Sequence, residues 1–193
     1  TSIYSQYMPK NVQHRLKKVP DFDVLSIEID RTALILSEEL KRSGFEDIQI
    51  VEIEAVGELI PRKIEVMVGK ETLAYIYEPI ACHSYNTITV GNSKVNIATI
   101  DTILTFYLSF LYVKAGEYGA DRLLCMAQFL FDVQEKNRLN QKGVLNRFNM
   151  ECIGRPSTLE DMRAEKAEKF KELKSNRNSK QFERWGLRYV PLQ

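Results

Sequence analysis

Apolar and polar residues alternate at period two in a short run after Pro20, Asp21-Phe-Asp-Val-Leu25, which predicts a strand with Asp21 and Asp23 on one side and Phe22 and Val24 on the other. A helical period then takes over. Leu34, Ile35, Leu36 and Leu40 give residues 31–42 an apolar face, with Ser26 or Asp30 placed to cap that helix and Gly44 to stop it. Alternation returns over 47–54, where Ile48, Ile50 and Ile53 stand among polar neighbours and Val51 breaks the register. Gly57 and Pro61 mark a turn. Residues 63–68 read as a third strand, with Ile64, Val66 and Val68 on one face and Glu65 and Met67 on the other. Gly69-Lys70 breaks the chain, and 72–77 make a fourth strand closed by Pro79.

The remainder is helical in character. A long helix is predicted from about Ile97 to Lys114, ending near Gly116 and Gly119, and a second over 121–139 carries Leu124, Ala127 and Phe131 at helical spacing. Together they form an αα-hairpin. Residues 143–156 are irregular, and Ser157-Thr158-Leu-Glu160-Asp161 has the form of a capping box leading into a helix over 159–173. After a polar linker at 175–179, Phe182, Trp185, Leu187 and Tyr189 form an aromatic cluster expected to dock back onto the helices, since a free tail seldom carries so many large apolar groups. Element order gives an α+β fold, a small mixed sheet with flanking helices followed by a mostly helical part.

Composition narrows the picture. A chain of 193 residues that is 44% hydrophobic can bury a proper core, which excludes chain-wide disorder. The longest apolar stretch, 97–113, is interrupted by Asp101 and several Thr and Ser, so no membrane span is expected, nor a signal peptide. Cys82, Cys125 and Cys152 are odd in number and lack a CxxC pair, and there are two histidines. That argues against a disulfide framework and a structural zinc site and favours a reducing compartment. The net charge of +1 conceals a polarity: from Arg138 onward there are 13 Lys and Arg against 7 Asp and Glu, leaving 14 against 19 before it. A basic segment on an acidic body suits a protein that holds a polyanion near carboxylates, although the same excess also serves to solvate a helix.

The candidate chemistry begins at Asp21 and Asp23. Two residues apart on a strand, their side chains emerge from one face about 7 Å apart along the backbone. Carboxylates so placed repel, and each resists ionisation unless a cation lies between them. Magnesium, or manganese in its stead, suits such hard oxygen ligands. A third acid would complete a two-metal site, in which one ion activates a hydroxyl and the other steadies the leaving group. Glu65, isolated among apolar residues on the third strand, is the candidate, on a strand expected beside the pair. Surface strands also carry alternate Asp residues because their outer face is wet; the order of strand with two acids, helix, strand, strand with one acid favours the metal.

The run Pro20-Asp-Phe-Asp-Val-Leu-Ser26 resembles the paired-acid signature of the polymerase-β-type nucleotidyltransferase superfamily. Tyr77-Glu-Pro-Ile-Ala-Cys-His-Ser-Tyr-Asn86, Ala98-Thr-Ile-Asp-Thr-Ile-Leu104, Cys125-Met-Ala-Gln-Phe-Leu-Phe131, Gln134-Glu-Lys-Asn-Arg138 and Thr158-Leu-Glu-Asp-Met-Arg-Ala-Glu-Lys166 are more specific. They resemble the catalytic subunit of poly(A) polymerases of nucleocytoplasmic large DNA viruses, the poxvirus and mimivirus kind, over nearly the whole chain. The resemblance implies a nucleotidyltransferase palm core over 1–92, incomplete at its N-terminus, and a helical C-terminal domain over 93–193. It implies transfer of AMP from ATP to RNA 3′ ends, with Asp21, Asp23 and Glu65 as catalytic metal ligands. It further implies a homodimer or a viral processivity subunit as partner, no membrane, and a place in the host cytoplasm or the virion. One departure stands: the Gly-Gly or Gly-Ser turn that clasps the triphosphate ahead of the paired acids is absent after Thr1-Ser2, so a fragment is expected. The alternative function is an inactive nucleotidyltransferase fold that binds RNA or dimerises.

In that frame Ser84, Tyr85 and Asn86 are placed to bind the nucleotide, Tyr85 by stacking on adenine and Asn86 by reading its edge, or else to pack under a helix. His83 reads as structural. Arg138, Lys142, Arg147 and Arg155 form the candidate RNA contact, although cations after a helix also satisfy its dipole. Segment 163–174, with alternating Lys, Arg and Glu, reads as a solvated helix laced with ion pairs.

Overall fold

The computed structural model describes residues 2–7, 21–57, 59–113, 119–155 and 158–186. Strands β1 (Phe22–Leu25), β2 (Ile48–Ile53), β3 (Lys63–Val68) and β4 (Glu71–Tyr77) form a sheet in the order β1-β4-β3-β2. β1 joins β4 in parallel and the other pairs are antiparallel, so the sheet is mixed, as expected.

Helix α1 (Ile29–Arg42) covers one face. Ile29, Ala33 and Ser37 recur every four residues along its buried side, and the first two pack on Ile64, Val66 and Ile76. Its C-terminus closes as the sequence predicts: Gly44 at φ +87 lets Phe45 donate to the Leu40 carbonyl and Gly44 to that of Lys41. The N-terminus differs from expectation. Glu28 is the N-cap with no side-chain bond, while Ser26 Oγ accepts the Glu28 N–H at 3.2 Å and pairs with the Thr32 hydroxyl at 2.7 Å.

A second sheet follows, which is not among the elements expected from the sequence. β5 (His83–Val90) and β6 (Ser93–Ala98) form a hairpin turning at Gly91, and β7 (Cys152–Ile153) pairs with the start of β5. The expected domain boundary between residues 92 and 93 thus falls at the tip of a continuous ladder. Helices α2 (Ile100–Val113) and α3 (Ala120–Lys136) form the predicted hairpin. A core of Ile100, Leu130, Val133, Val144 and Leu145 is completed by Tyr4, from the 3-10 turn Ser2–Tyr7. The Tyr4 hydroxyl donates to the carbonyls of Ala98 at 2.8 Å and Val144 at 3.2 Å, and burial drives its pKa upward. No helix among the described residues is long and apolar enough to cross a membrane.

Cys82 and Cys152 form a disulfide, with Cα atoms 5.3 Å apart, correcting the expected disulfide-free chain. Linear spacing gave no hint, because the two meet only through the β5–β7 ladder, whose register is His83 with Ile153 and Ser84 with Cys152. Closing a span of 70 residues in this way contributes about 4 kcal/mol in the chain-entropy account.

Helix α4 (Leu159–Leu173) begins in the predicted capping box: Asp161 N donates to Thr158 Oγ1 at 3.1 Å, and the Thr158 N–H donates back to Asp161 Oδ2 at 3.2 Å. Thr158→Ala is expected to cost about 1 kcal/mol in urea denaturation, since it orphans the Asp161 N–H and removes the hydroxyl that donates to Asp161 Oδ2 at 2.6 Å, while the backbone half of the box remains. Helix α5 (Lys180–Gly186) sets Phe182 against Phe170, centroids 6.5 Å apart, and Trp185 against Phe182 at 5.7 Å. The expected aromatic docking onto a preceding helix therefore holds for Phe182, while Trp185 packs on Phe182 within the same short helix. Leu187 and Tyr189, like Pro20, Gly116 and Ser157, lie outside the described residues.

Candidate active site

Strand register fixes which side chains share the face opposite α1. One row across the sheet reads Asp23, Tyr75, Glu65, and the next reads Leu25, Tyr77, Lys63. Alternation sets Asp21, which immediately precedes β1, on the same side as Asp23. The Tyr77 and Lys63 end of this face is roofed by α2: Phe106 lies edge-on to Tyr77 at 5.3 Å, and Phe110 stands 6.4 Å from it. Asp21 and Asp23 remain open to solvent.

Each acid has its own surroundings. Asp23 Oδ1 accepts a hydrogen bond from the Tyr77 hydroxyl at 3.3 Å. Water reaches its side chain, yet the protein around it is dense enough that burial raises its pKa; the charge of Asp21 pushes the same way, while the Tyr77 bond and the Lys63 ammonium pull against it. Glu65 is half-buried, and its Oε1 accepts both from the Thr72 hydroxyl and from the Tyr75 hydroxyl at 3.2 Å. Lys63 is only 2% exposed. Its Nζ lies 4.5 Å from the centroid of the Tyr75 ring and 5.6 Å from that of Phe110, where ring faces offset part of the cost of burying a charge.

The structure thus brings Asp21 and Asp23 together and puts Glu65 on the same face, but it corrects the expected adjacency. The neighbour of β1 is β4, and Glu65 lies one strand further, about 10 Å from Asp23 between backbones. Among the described residues, no three of His, Cys, Asp and Glu gather in a way that could hold a metal. The pair alone fits one magnesium or manganese ion, which commonly takes one or two carboxylates with phosphate oxygens and water. Burial raises the Asp23 pKa and the charge of Asp21 adds to it, and a cation on the pair would offset both. Tyr75, Tyr77 and Lys63 escaped the sequence reading, although period two from Glu65 and from Tyr75 puts all three on the acid face.

The candidate nucleotide segment lies on β5. Ser84 Oγ pairs with Thr99 Oγ1 at 3.3 Å, and its carbonyl accepts from Thr102 at 2.9 Å, anchoring the start of α2. Asn86 is corrected from base reader to structural residue. It is 3% exposed, and its Nδ2 donates to the carbonyls of Asn146 at 2.8 Å and Val144 at 3.3 Å, while Oδ1 accepts from Asn149 at 3.2 Å. Asn86→Ala is expected to cost about 2 kcal/mol in chemical denaturation by leaving these groups unpaired in the interior. Tyr85 is half-buried, its backbone tied to Glu151 and Asn149. His83 lies tilted against Phe106, ring centroids 5.3 Å apart, and its buried Nε2 has no hydrogen-bond partner among the described residues. Arg138, Lys142, Arg147 and Arg155 are all exposed, and Arg147 pairs with Asp101 at 3.2 Å.

A mixed sheet backed by a helix, with a carboxylate pair at its parallel edge strand, makes an α+β fold. Among solved structures the chain is similar to the Megavirus polyadenylate synthase, with a TM-score of 0.58 and 16% identity. The likeness covers 89% of this chain and 37% of that protein, so the chain spans little more than a third of its length. No family model and no curated protein matches the chain.

Proposed function

We propose that the chain carries the nucleotidyltransferase core of a polynucleotide adenylyltransferase, which adds AMP from ATP to RNA 3′ ends. The observation that carries this reading is the Asp21 and Asp23 pair, solvent-open on β1 and steadied by Tyr77, in a fold shared with a polyadenylate synthase. A magnesium or manganese ion on the pair would neutralise triphosphate charge and polarise the α-phosphate. Tyr77 orients Asp23, and the buried Lys63 offsets the pair's negative charge from below. Tyr85 is the residue offered to stack on adenine, and Arg138, Lys142 and Arg155 are offered to the RNA backbone, with Arg147 joining them on exchange of its Asp101 partner. The palm core is assigned to 1–92 and the helical part to 93–193, joined through the β5–β6 hairpin. A second copy or a viral processivity subunit is the partner, in the host cytoplasm or the virion.

The test is extension of a labelled RNA primer by the full-length protein with ATP and magnesium. Lengthening that disappears in Asp23→Asn supports the reading, and absence of ATP-dependent extension overturns it. The separation of Glu65 from the pair favours a second reading, an inactive nucleotidyltransferase fold serving as an RNA-binding or dimerising platform. Primer retained on a filter without extension would select it.

A further inference from the structure

We infer that Tyr75 limits the acid face to a single divalent cation, held by Asp21 and Asp23, and keeps Glu65 out of the metal's coordination. This rests on the reading of the pair as a metal site and specifies what that site can hold. In-register neighbours on adjacent strands lie about 4.8 Å apart, and residues one strand further about twice that. Two cations sharing a phosphoryl centre stand about 3.5–4 Å apart, so a third carboxylate must sit on the strand next to the pair to bridge them. On that strand the position facing Asp23 belongs to Tyr75.

Three further observations agree. Tyr75 is 9% exposed and stands between Asp23 and Glu65 in the row. Its hydroxyl and that of Thr72 both donate to Glu65 Oε1, so neutral donors already engage one oxygen of the carboxylate and hold it toward Tyr75 and Thr72. Beneath the ring, 4.5 Å from its centroid, lies the Lys63 ammonium, a fixed positive charge that repels a second cation entering on the Glu65 side.

Titration of the full-length protein with Mn2+ alone, counting bound ions by the loss of the free-ion paramagnetic resonance signal, tests this. Wild type is expected to bind one Mn2+ per chain, Glu65→Gln to bind one with affinity within about twofold, and Asp23→Asn to lose it, a loss of more than about tenfold. Tyr75→Asp, checked for folding by its thermal midpoint, is expected to raise the count to two. A wild-type count of two that falls to one in Glu65→Gln overturns the inference while leaving the pair as a metal site, as does a folded Tyr75→Asp that still binds one. Equal binding by wild type and Asp23→Asn overturns the reading of the pair itself and the inference with it.

Discussion

Asp23→Asn is expected to lower primer extension by at least about 100-fold, the upper end of what even outer-shell partners of a metal contribute, while leaving the thermal midpoint at pH 7 unchanged or higher. The two halves of this result have one origin. Burial raises the Asp23 pKa above its unfolded value, so between the ordinary carboxylate range and the raised value the native state binds the proton more readily than the unfolded chain. Stability contributed by this group is therefore present at low pH and declines as pH rises through that window. At neutral pH the ionised carboxylate opposes folding, and asparagine removes that opposition while keeping an oxygen to accept from Tyr77. Primer extension and a melting curve on the same samples check both halves. A midpoint lowered by several degrees would make Asp23 a structural residue, and undiminished extension would remove it from the chemistry.

The local pattern that located Asp23 also located most of the first sheet. Periodicity placed β3 at its observed bounds, and Gly44 announced its own helix stop, because these depend on residues within a turn or two of one another. Strand order does not. The partner of β1 is set by a parallel crossover that brings β4, not β3, beside it, and a reading along the chain ranks Glu65 close to the acids while the ladder inserts Tyr75 between them. The disulfide was hidden for the same reason: β7 has only two residues, too few to show a period, yet its pairing with β5 brings cysteines 70 positions apart together. Asn86 misled in the opposite direction. A polar residue beside a tyrosine suggests a ligand, but the carbonyls it satisfies come from a segment some 60 residues away. The β5–β6 hairpin was legible and passed over, since Thr87-Ile-Thr-Val90 and Lys94-Val-Asn-Ile97 alternate with β-branched residues on either side of Gly91-Asn92.

Gly154→Ala is expected to destabilise the protein by about 3 kcal/mol, lowering the thermal midpoint by roughly 6–12 °C. Gly154 follows β7 at φ +92, a conformation that L side chains rarely adopt, and a Cβ there would lie 2.2 Å from the Ala81 carbonyl oxygen and 2.8 Å from Pro79 Cβ. Neither side can easily retreat. Ala81 adjoins Cys82 and Gly154 lies two residues beyond Cys152, so the disulfide and the His83–Ile153 pairing hold the two backbones together around the clash. Relief must come from opening the β5–β7 ladder, and strain then passes to residues 144–149, which hold Tyr85 and Asn86 through Val144, Asn146 and Asn149. Weaker use of ATP, seen as a raised KM, is expected to accompany the loss of stability, with Mn2+ binding at Asp21 and Asp23 unaffected because β1 shares no hydrogen-bonded sheet with β7. Thiol alkylation after a brief pulse of a mild thiol reductant supplies a second readout. Wild type should take one label, at the exposed Cys125, and the variant should show a larger fraction with three, as the added reductant supplies the two electrons that open a less protected Cys82–Cys152 bond into two thiols. A midpoint within 2 °C of wild type, with a single label, would mean that β7 accommodates the methyl group and that this junction does not hold the nucleotide segment in place.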